Sequence, residues 1–213
     1  YEKAIAAFNK VINLDDSIAQ NANYHLASCF LKSGNKSSAR NAFQLASKKS
    51  FDKKIQEDAL FNYGKLSFEL NATSAAINAF QEFIKQYPGT SKSDQSYEYL
   101  AQLYLTTRDY KQALTALEKI SVKSPTAKTA YQKVTYYRGI ELYNDVDLPK
   151  AISMFDKTIV NNTDPLLSAK AMYWKGEALY RQNKFDEAIK EYRIFLFNPA
   201  ALKLDFYNNV NYN

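Results

Sequence analysis

His25 is the only histidine in the chain and Cys29 the only cysteine, and they stand four residues apart in a segment of helical pattern. Two donors at i and i+4 share a helix face and could share a metal ion. Zinc, however, takes four ligands, and no other cysteine or histidine is present to complete the set, so the pair is expected to pack rather than coordinate. Asp15 and Asp16 are adjacent carboxylates. A catalytic pair needs a cleft and a neighbour that drives the two proton affinities apart; a loop position after a helix suits solvated charge better. The densest basic stretch, Lys32 to Lys54, holds Lys36, Arg40, Lys48, Lys49 and Lys53, within a net charge of +6. Concentrated on one surface it could meet phosphates. Elsewhere Lys, Asp and Glu are interspersed, and a solvated face is the simpler reading. No Ser–His–Asp wording, HExxH or phosphate-loop pattern is visible. The expectation is therefore no catalytic residue, no cofactor, no metal and no small-molecule substrate.

Composition points to the elements that carry these side chains. The 213 residues include only five glycines, against 17 tyrosines and 13 phenylalanines. So few glycines argue against a turn-dense all-β fold. A single cysteine forbids an internal disulfide. No apolar run approaches the roughly 18 residues needed to span a bilayer. No secretory signal is present, and the chain opens on Tyr1 without a methionine, which reads as a piece of a longer protein.

The organisation is repetitive. The segments FNYGKLSFELNATSAAINAFQEF from Phe61, YYRGIELYNDVDLPKAISMFDKT from Tyr136 and YWKGEALYRQNKFDEAIKEYRIF from Tyr173 share one layout: an aromatic, a small residue three places on, an alanine twelve further and an aromatic four after that. Looser copies contain Ala27 and Ala101. The small residues Ala27, Gly64, Ala101, Gly139 and Gly176 are spaced by 37, 37, 38 and 37. The alanines Ala4, Ala39, Ala76, Ala113, Ala151 and Ala188 keep nearly the same period.

Each period reads as two helices. In one copy Leu100, Leu103 and Tyr104 recur at i, i+3 and i+4, and Ala113, Leu114, Leu117 and Ile120 follow suit after a break. Asp109 with Gln112 three residues on is a capping pattern, and Asn183 with Asp186 a weaker version. Gly34 stands where a helix end favours a left-handed residue, and Pro149 falls in a first turn. Pro88, Pro125, Pro165 and Pro199 follow second helices and are expected to stop them. The small slot and the alanine let two antiparallel helices approach closely. Phe43, Phe80, Leu117, Phe155 and Tyr192 fill the space one turn further on.

This pattern resembles the tetratricopeptide repeat, over nearly the whole chain. The resemblance implies an all-α fold, a right-handed α-solenoid of helix–turn–helix repeats. Five full repeats are expected over residues 20–56, 57–93, 94–131, 132–168 and 169–205, in a single array 1–213. A half repeat would occupy 1–19, and a further repeat would start at 206–213. The period exceeds the usual length of about 34 residues, and the extra residues are expected between repeats, as in KQYPGTSKSDQ and FNPAALKLD. That lengthening and the wording FQEFIKQYPGTSKSDQSYEYLAQLY are similar to bacterial cell-envelope members of the family.

The resemblance also implies a non-enzymatic scaffold whose concave side, lined by first helices, binds a protein or peptide partner. The implied groove slots are Tyr24, Phe61, Tyr136 and Tyr173, with Glu98 as a polar interruption. One or two turns on come Leu31, Lys65, Phe68, Gln102, Leu105, Tyr143, Glu177, Tyr180 and Arg181. An aromatic lining suits an extended or helical peptide; alternatively, several of these rings pack between neighbouring helices. The family's carboxylate clamp of Lys, Asn and Arg is missing, since Tyr24 and Ser28, Phe61 and Lys65, and Glu98 and Gln102 occupy its slots. A spacer role in a larger envelope-associated or multidomain protein is an alternative. Nucleic-acid binding through residues 32–54 is less favoured, because Arg40, Lys48 and Lys49 would lie on or beyond a second helix. The partner and the oligomeric state are not legible.

Overall fold

A computed structural model describes residues 1–12, 14 and 16–211. Among the described residues every regular element is helical. The short α1 is Glu2–Phe8. Five pairs follow: α2 Ser17–Lys32 with α3 Lys36–Ser47, α4 Lys53–Glu69 with α5 Thr73–Gln86, α6 Ser91–Thr106 with α7 Tyr110–Glu118, α8 Pro125–Asn144 with α9 Leu148–Asn161, and α10 Pro165–Arg181 with α11 Phe185–Leu196. The chain divides into two compact units, Tyr1–Leu103 and the residues from Tyr104 on, with the division inside α6.

Close approach within a pair has a steric origin. A Cβ placed on Gly139 would lie 2.6 Å from the ring of Phe155, one on Gly176 2.6 Å from Tyr192, and one on Gly64 2.9 Å from Phe80. Phe80 and Phe155 are fully buried. The second-helix ring thus lies against bare backbone of the first helix; the repeated alanines Ala39, Ala76, Ala113, Ala151 and Ala188 are all buried.

The turn inside each pair is one recurring device. Gly34, Asn71, Arg108, Val146 and Asn183 all have φ between +56° and +79°. The next residue in each repeat, Asn35, Ala72, Asp109, Asp147 or Lys184, donates its N–H to the carbonyl five residues back, at 2.8–3.1 Å. This bond closes the first helix in a Schellman-type end. Gly34 is left-handed as expected. Asn183 is not the cap of α11; it holds the left-handed turn position, and Lys184 caps without a side-chain bond. Asp109 does cap α7, accepting from the Gln112 N–H at 3.0 Å.

Two further expectations shift. Pro125 and Pro165 do not act by ending the preceding helix; each is the first residue of the following one, behind the caps Ser124 and Asp164. A ring that fixes φ and lacks an N–H is well suited to that position. Part of the extra length is also helix rather than loop. KQYPGTSKSDQ contributes Lys85 and Gln86 to α5 and Ser91 onward to α6, and α8 has 20 residues.

Successive pairs are joined through buried amides. Gln20 on α2 accepts from the N–H of Asp52 at 2.7 Å and donates to its carbonyl at 3.1 Å and to that of Lys49 at 2.7 Å. Gln132 on α8 does the same with Asp164, accepting at 2.7 Å and donating at 3.0 Å, and also accepts from the Thr163 hydroxyl at 2.6 Å. Asp52 and Asp164 cap α4 and α10. One glutamine therefore fixes the residue from which the next first helix starts. After α11 no α-helix forms among the described residues; the chain makes 3-10 turns at Ala201–Lys203 and Tyr207–Asn211. Where a further repeat was expected to start, at 206–213, Phe206 and Tyr207 instead fold back onto the end of the last pair, with Phe206 4.5 Å from Tyr173 between ring centres.

Candidate functional site

The first helices bring the expected aromatic slots into one repeated contact. Tyr24 meets Phe43 at 5.7 Å between ring centres, Phe61 meets Phe80 at 6.2 Å, Tyr136 meets Phe155 at 6.4 Å and Tyr173 meets Tyr192 at 6.3 Å. Phe61 and Tyr136 are buried, and Tyr24 and Tyr173 half-buried. These four rings are interhelical packing before they are lining. Phe61 also touches Phe83 and Tyr99, and Tyr173 touches Phe195 and Phe206.

In the first unit the face formed by α2, α4 and α6 centres on Asp58. It accepts from the Tyr24 phenol at 2.7 Å, from the Asn62 amide at 2.8 Å and from the Lys92 ammonium at 2.9 Å. Lys92 also lies 5.8 Å from the centre of the Phe61 ring. Burial alone would raise the Asp58 carboxyl, but the hydrogen bonds from Tyr24 and Lys92 outweigh it and hold it below the usual carboxylate range. The same hydrogen bond, with burial and the carboxylate charge, pushes the Tyr24 phenol up to about 12. Lys65 is exposed, Phe68 packs on Tyr99 at 5.0 Å, and Glu98, Gln102 and Leu105 are half-buried. Leu31 is exposed.

In the second unit the face formed by α8 and α10 is aromatic. Tyr143 meets Trp174 edge-on at 5.2 Å, and the Arg181 guanidinium lies 4.7 Å over the Tyr143 ring. Tyr180 is half-exposed and rests on Phe185. Glu177 is engaged, accepting from the Tyr192 phenol at 2.7 Å. Burial, followed by that bond, pushes the Tyr192 phenol far up; burial and the Glu177 charge bring Tyr173 to about 12.

Trp174, Tyr137, Asp58 and Lys92 are members of these faces that the aromatic slots alone do not indicate. Trp174 and Tyr137 each follow a slot residue by one position, so the doublets YW and YY were the available signal. Asp58 and Lys92 stand 34 residues apart, as do Tyr24 and Asp58, one turn off the repeat period.

The remaining candidates resolve locally. The His25 ring is 6.0 Å from Phe8 and Cys29 is half-buried. Among the described residues no three His, Cys, Asp or Glu side chains group as metal ligands. Asp16 caps α2, accepting from Ala19 at 2.8 Å, whereas Asp15 lies outside the described residues. The basic stretch is divided among separate partners: Lys36 pairs with Glu69 at 2.8 Å, Lys49 donates to the Leu14 carbonyl at 2.8 Å and Lys53 to Gln56 at 3.2 Å. No described helix is long and apolar enough to cross a membrane.

Two models of the tetratricopeptide-repeat family match the chain, over residues 136–201 and 58–90. Solved structures with the same fold include MamA AMB-1, 18% identical, covering 89% of this chain and 93% of that one with a TM-score of 0.53. YrrB, described as a TPR protein with an unusual peptide-binding site, is 18% identical over 92% of this chain and 96% of its own, with a TM-score of 0.51. A tetratricopeptide repeat protein from Parabacteroides merdae is 17% identical over 92% and 71%, with a TM-score of 0.51. At these identities the likeness speaks to fold. No curated protein matches the chain significantly.

Proposed function

We propose that this chain is a non-enzymatic interaction scaffold of the tetratricopeptide-repeat type, which binds a protein or peptide through its first-helix faces. The observation that carries this reading is the Tyr143–Trp174–Arg181 group. Tyr143 and Trp174 are half-buried and Arg181 is exposed, so part of the group stays open to solvent at the surface of α8 and α10. Such rings offer large contact area at small entropic cost. The peptide-binding site ascribed to YrrB is in keeping with this use of the fold.

The experiment spares the rings seated most deeply on the second helices: Tyr136 packs on the buried Phe155, and Tyr173 on Tyr192 and the buried Phe195, so alanine at either would disturb the helix pair. Alanine at Tyr143, Trp174, Tyr180 and Arg181 together should abolish partner capture from native cells while the helical circular-dichroism signal persists. Capture that survives in a folded quadruple variant overturns the assignment. Residence at the bacterial cell envelope is the finer part of the proposal, resting on the sequence resemblance, and fractionation of native cells tests it.

A further inference from the structure

The chemistry of the partner can be read within the second unit alone, given the reading of the first-helix faces above. A cleft of about 610 Å³ lies beside α8, with Arg108, Tyr110, Tyr137, Ile140, Glu141 and Asn144 in its wall. Tyr110 and Tyr137 stack at 5.2 Å with 17° between their planes, and Tyr137 is 42% exposed. Along α8 the residues Lys133, Tyr137, Ile140 and Asn144 follow at i, i+4, i+7 and i+11, a single stripe of a helix. Lys170, Trp174, Glu177 and Arg181 repeat those offsets on α10. Trp174 and Arg181 of the α10 stripe contact Tyr143, which flanks the α8 stripe, so the two stripes are neighbours.

Cations predominate among the exposed charges of this face. Arg108, Lys133 and Arg181 are exposed and Lys170 half-exposed. No carboxylate among the described residues forms an ion pair with any of the four. The carboxylates nearby are committed elsewhere or peripheral. Glu141 pairs with Arg138 at 2.9 Å, Glu177 accepts from Tyr192, Asp109 caps α7, and Asp145 stands past the end of α8. Lys133 and Lys170 stand at one end of the two stripes; at the other end Arg181 closes the α10 stripe and Arg108 shares the cleft wall with Asn144, with Tyr137 and Trp174 between.

We propose that this face receives an acidic peptide segment carrying an aromatic side chain. The ring packs on the Tyr110–Tyr137 wall. The flanking carboxylates meet Lys133 and Lys170 at one end and Arg108 and Arg181 at the other. Cations without an internal carboxylate partner lose little on meeting one. They also steer an acidic chain and repel a basic one, whereas the rings give contact that salt does not screen.

The test uses the whole chain and a fluorescein-labelled short peptide alternating Glu with Phe, followed by anisotropy. Its counterpart carries Lys for Glu. The acidic peptide should bind, weaken as salt is raised, and lose at least about tenfold in affinity with Lys133→Glu and Lys170→Glu combined. Tyr137→Ala should also weaken it, with little change in salt dependence. Circular dichroism of each variant separates lost binding from lost folding, and Lys133→Gln with Lys170→Gln supplies a milder pair if charge reversal unfolds the unit. Equal affinity for both peptides, or indifference to the lysine changes, overturns the proposal. A basic peptide that binds and is lost on Tyr137→Ala overturns the acidic class alone and leaves the groove standing; no binding by either peptide refutes the groove as well. A single-stranded oligonucleotide of equal charge that displaces the acidic peptide with higher affinity would show that the face reads phosphate, and would equally refute the proposal.

Discussion

Replacing Gly139 by alanine tests the contact on which each repeat depends. The new Cβ would sit 2.6 Å from Cε1 and 2.8 Å from Cδ1 of Phe155. Ordinary carbon–carbon contact is about 3.5–4.0 Å, so the ring must retreat by about 1 Å. It has little room: Phe155 is 0% exposed and also faces the buried Tyr136. Overpacking of this kind costs about 1–3 kcal/mol. Alanine is also a better helix former than glycine by about 1 kcal/mol, so the net loss should be about 0–2 kcal/mol. The two effects separate in a Phe155→Leu background, where the clash is relieved and only the propensity gain remains. The third repeat already carries alanine and leucine at the two corresponding positions, Ala101 and Leu117. Urea unfolding of the four proteins, followed by circular dichroism, gives the coupling energy, expected at about 1–3 kcal/mol. An alanine equally stabilising in both backgrounds would refute the steric account of the small slot.

Val146 is β-branched yet has φ +63° at the α8–α9 turn, and it is 60% exposed; Val146→Asn should raise the melting temperature, by about 1 kcal/mol of relieved strain. Gln132→Leu should lower stability by about 1–3 kcal/mol, because the Asp164 N–H and carbonyl lose a buried partner; the melting curve decides. Because its folded carboxyl is held low, Asp58 contributes stability that is complete above its ordinary range and lost as pH falls through the lower folded value. Asp58→Asn should therefore flatten the acid limb of a pH–stability curve. For Tyr24 the sign is opposite: with the phenol raised from 10.0 to about 12, its contribution is complete below pH 10.0 and lost as pH rises through about 12. Tyr24→Phe should remove one late-titrating tyrosinate from the ultraviolet absorbance titration.

Much of the fold was legible because a repeat multiplies weak local signals. The small slot, the buried alanine and the second-helix ring recur at a fixed period, and each reports a contact between neighbouring helices of one pair. Gly34 revealed its turn, since glycine is the residue that most readily takes positive φ. Arg108 and Val146 hid the same turn, as neither type announces a left-handed position. Asn183 was misread because asparagine suits both a cap and a left-handed residue. The candidate site was legible only in outline. Aromatic identity does not say whether a ring turns toward the neighbouring helix or toward solvent, and Tyr136 turned inward while Tyr143 and Trp174 keep an edge outside.

The sequence by itself determined the repeat, its helix–turn–helix content and the positions where helices must approach, because those depend on residue type within a short window. Tertiary structure alone decided what joins one pair to the next and what remains open on the surface. Gln132 finds Asp164 32 residues away, and Asp58 gathers Tyr24 and Lys92 from two other helices. Such bonds depend on where distant segments are placed, and no local pattern encodes that distance. The same holds for charge: Lys175 is absorbed by Asp156 and Glu191 at 2.8 and 2.6 Å, whereas Lys170, five residues earlier on the same helix, forms no ion pair among the described residues.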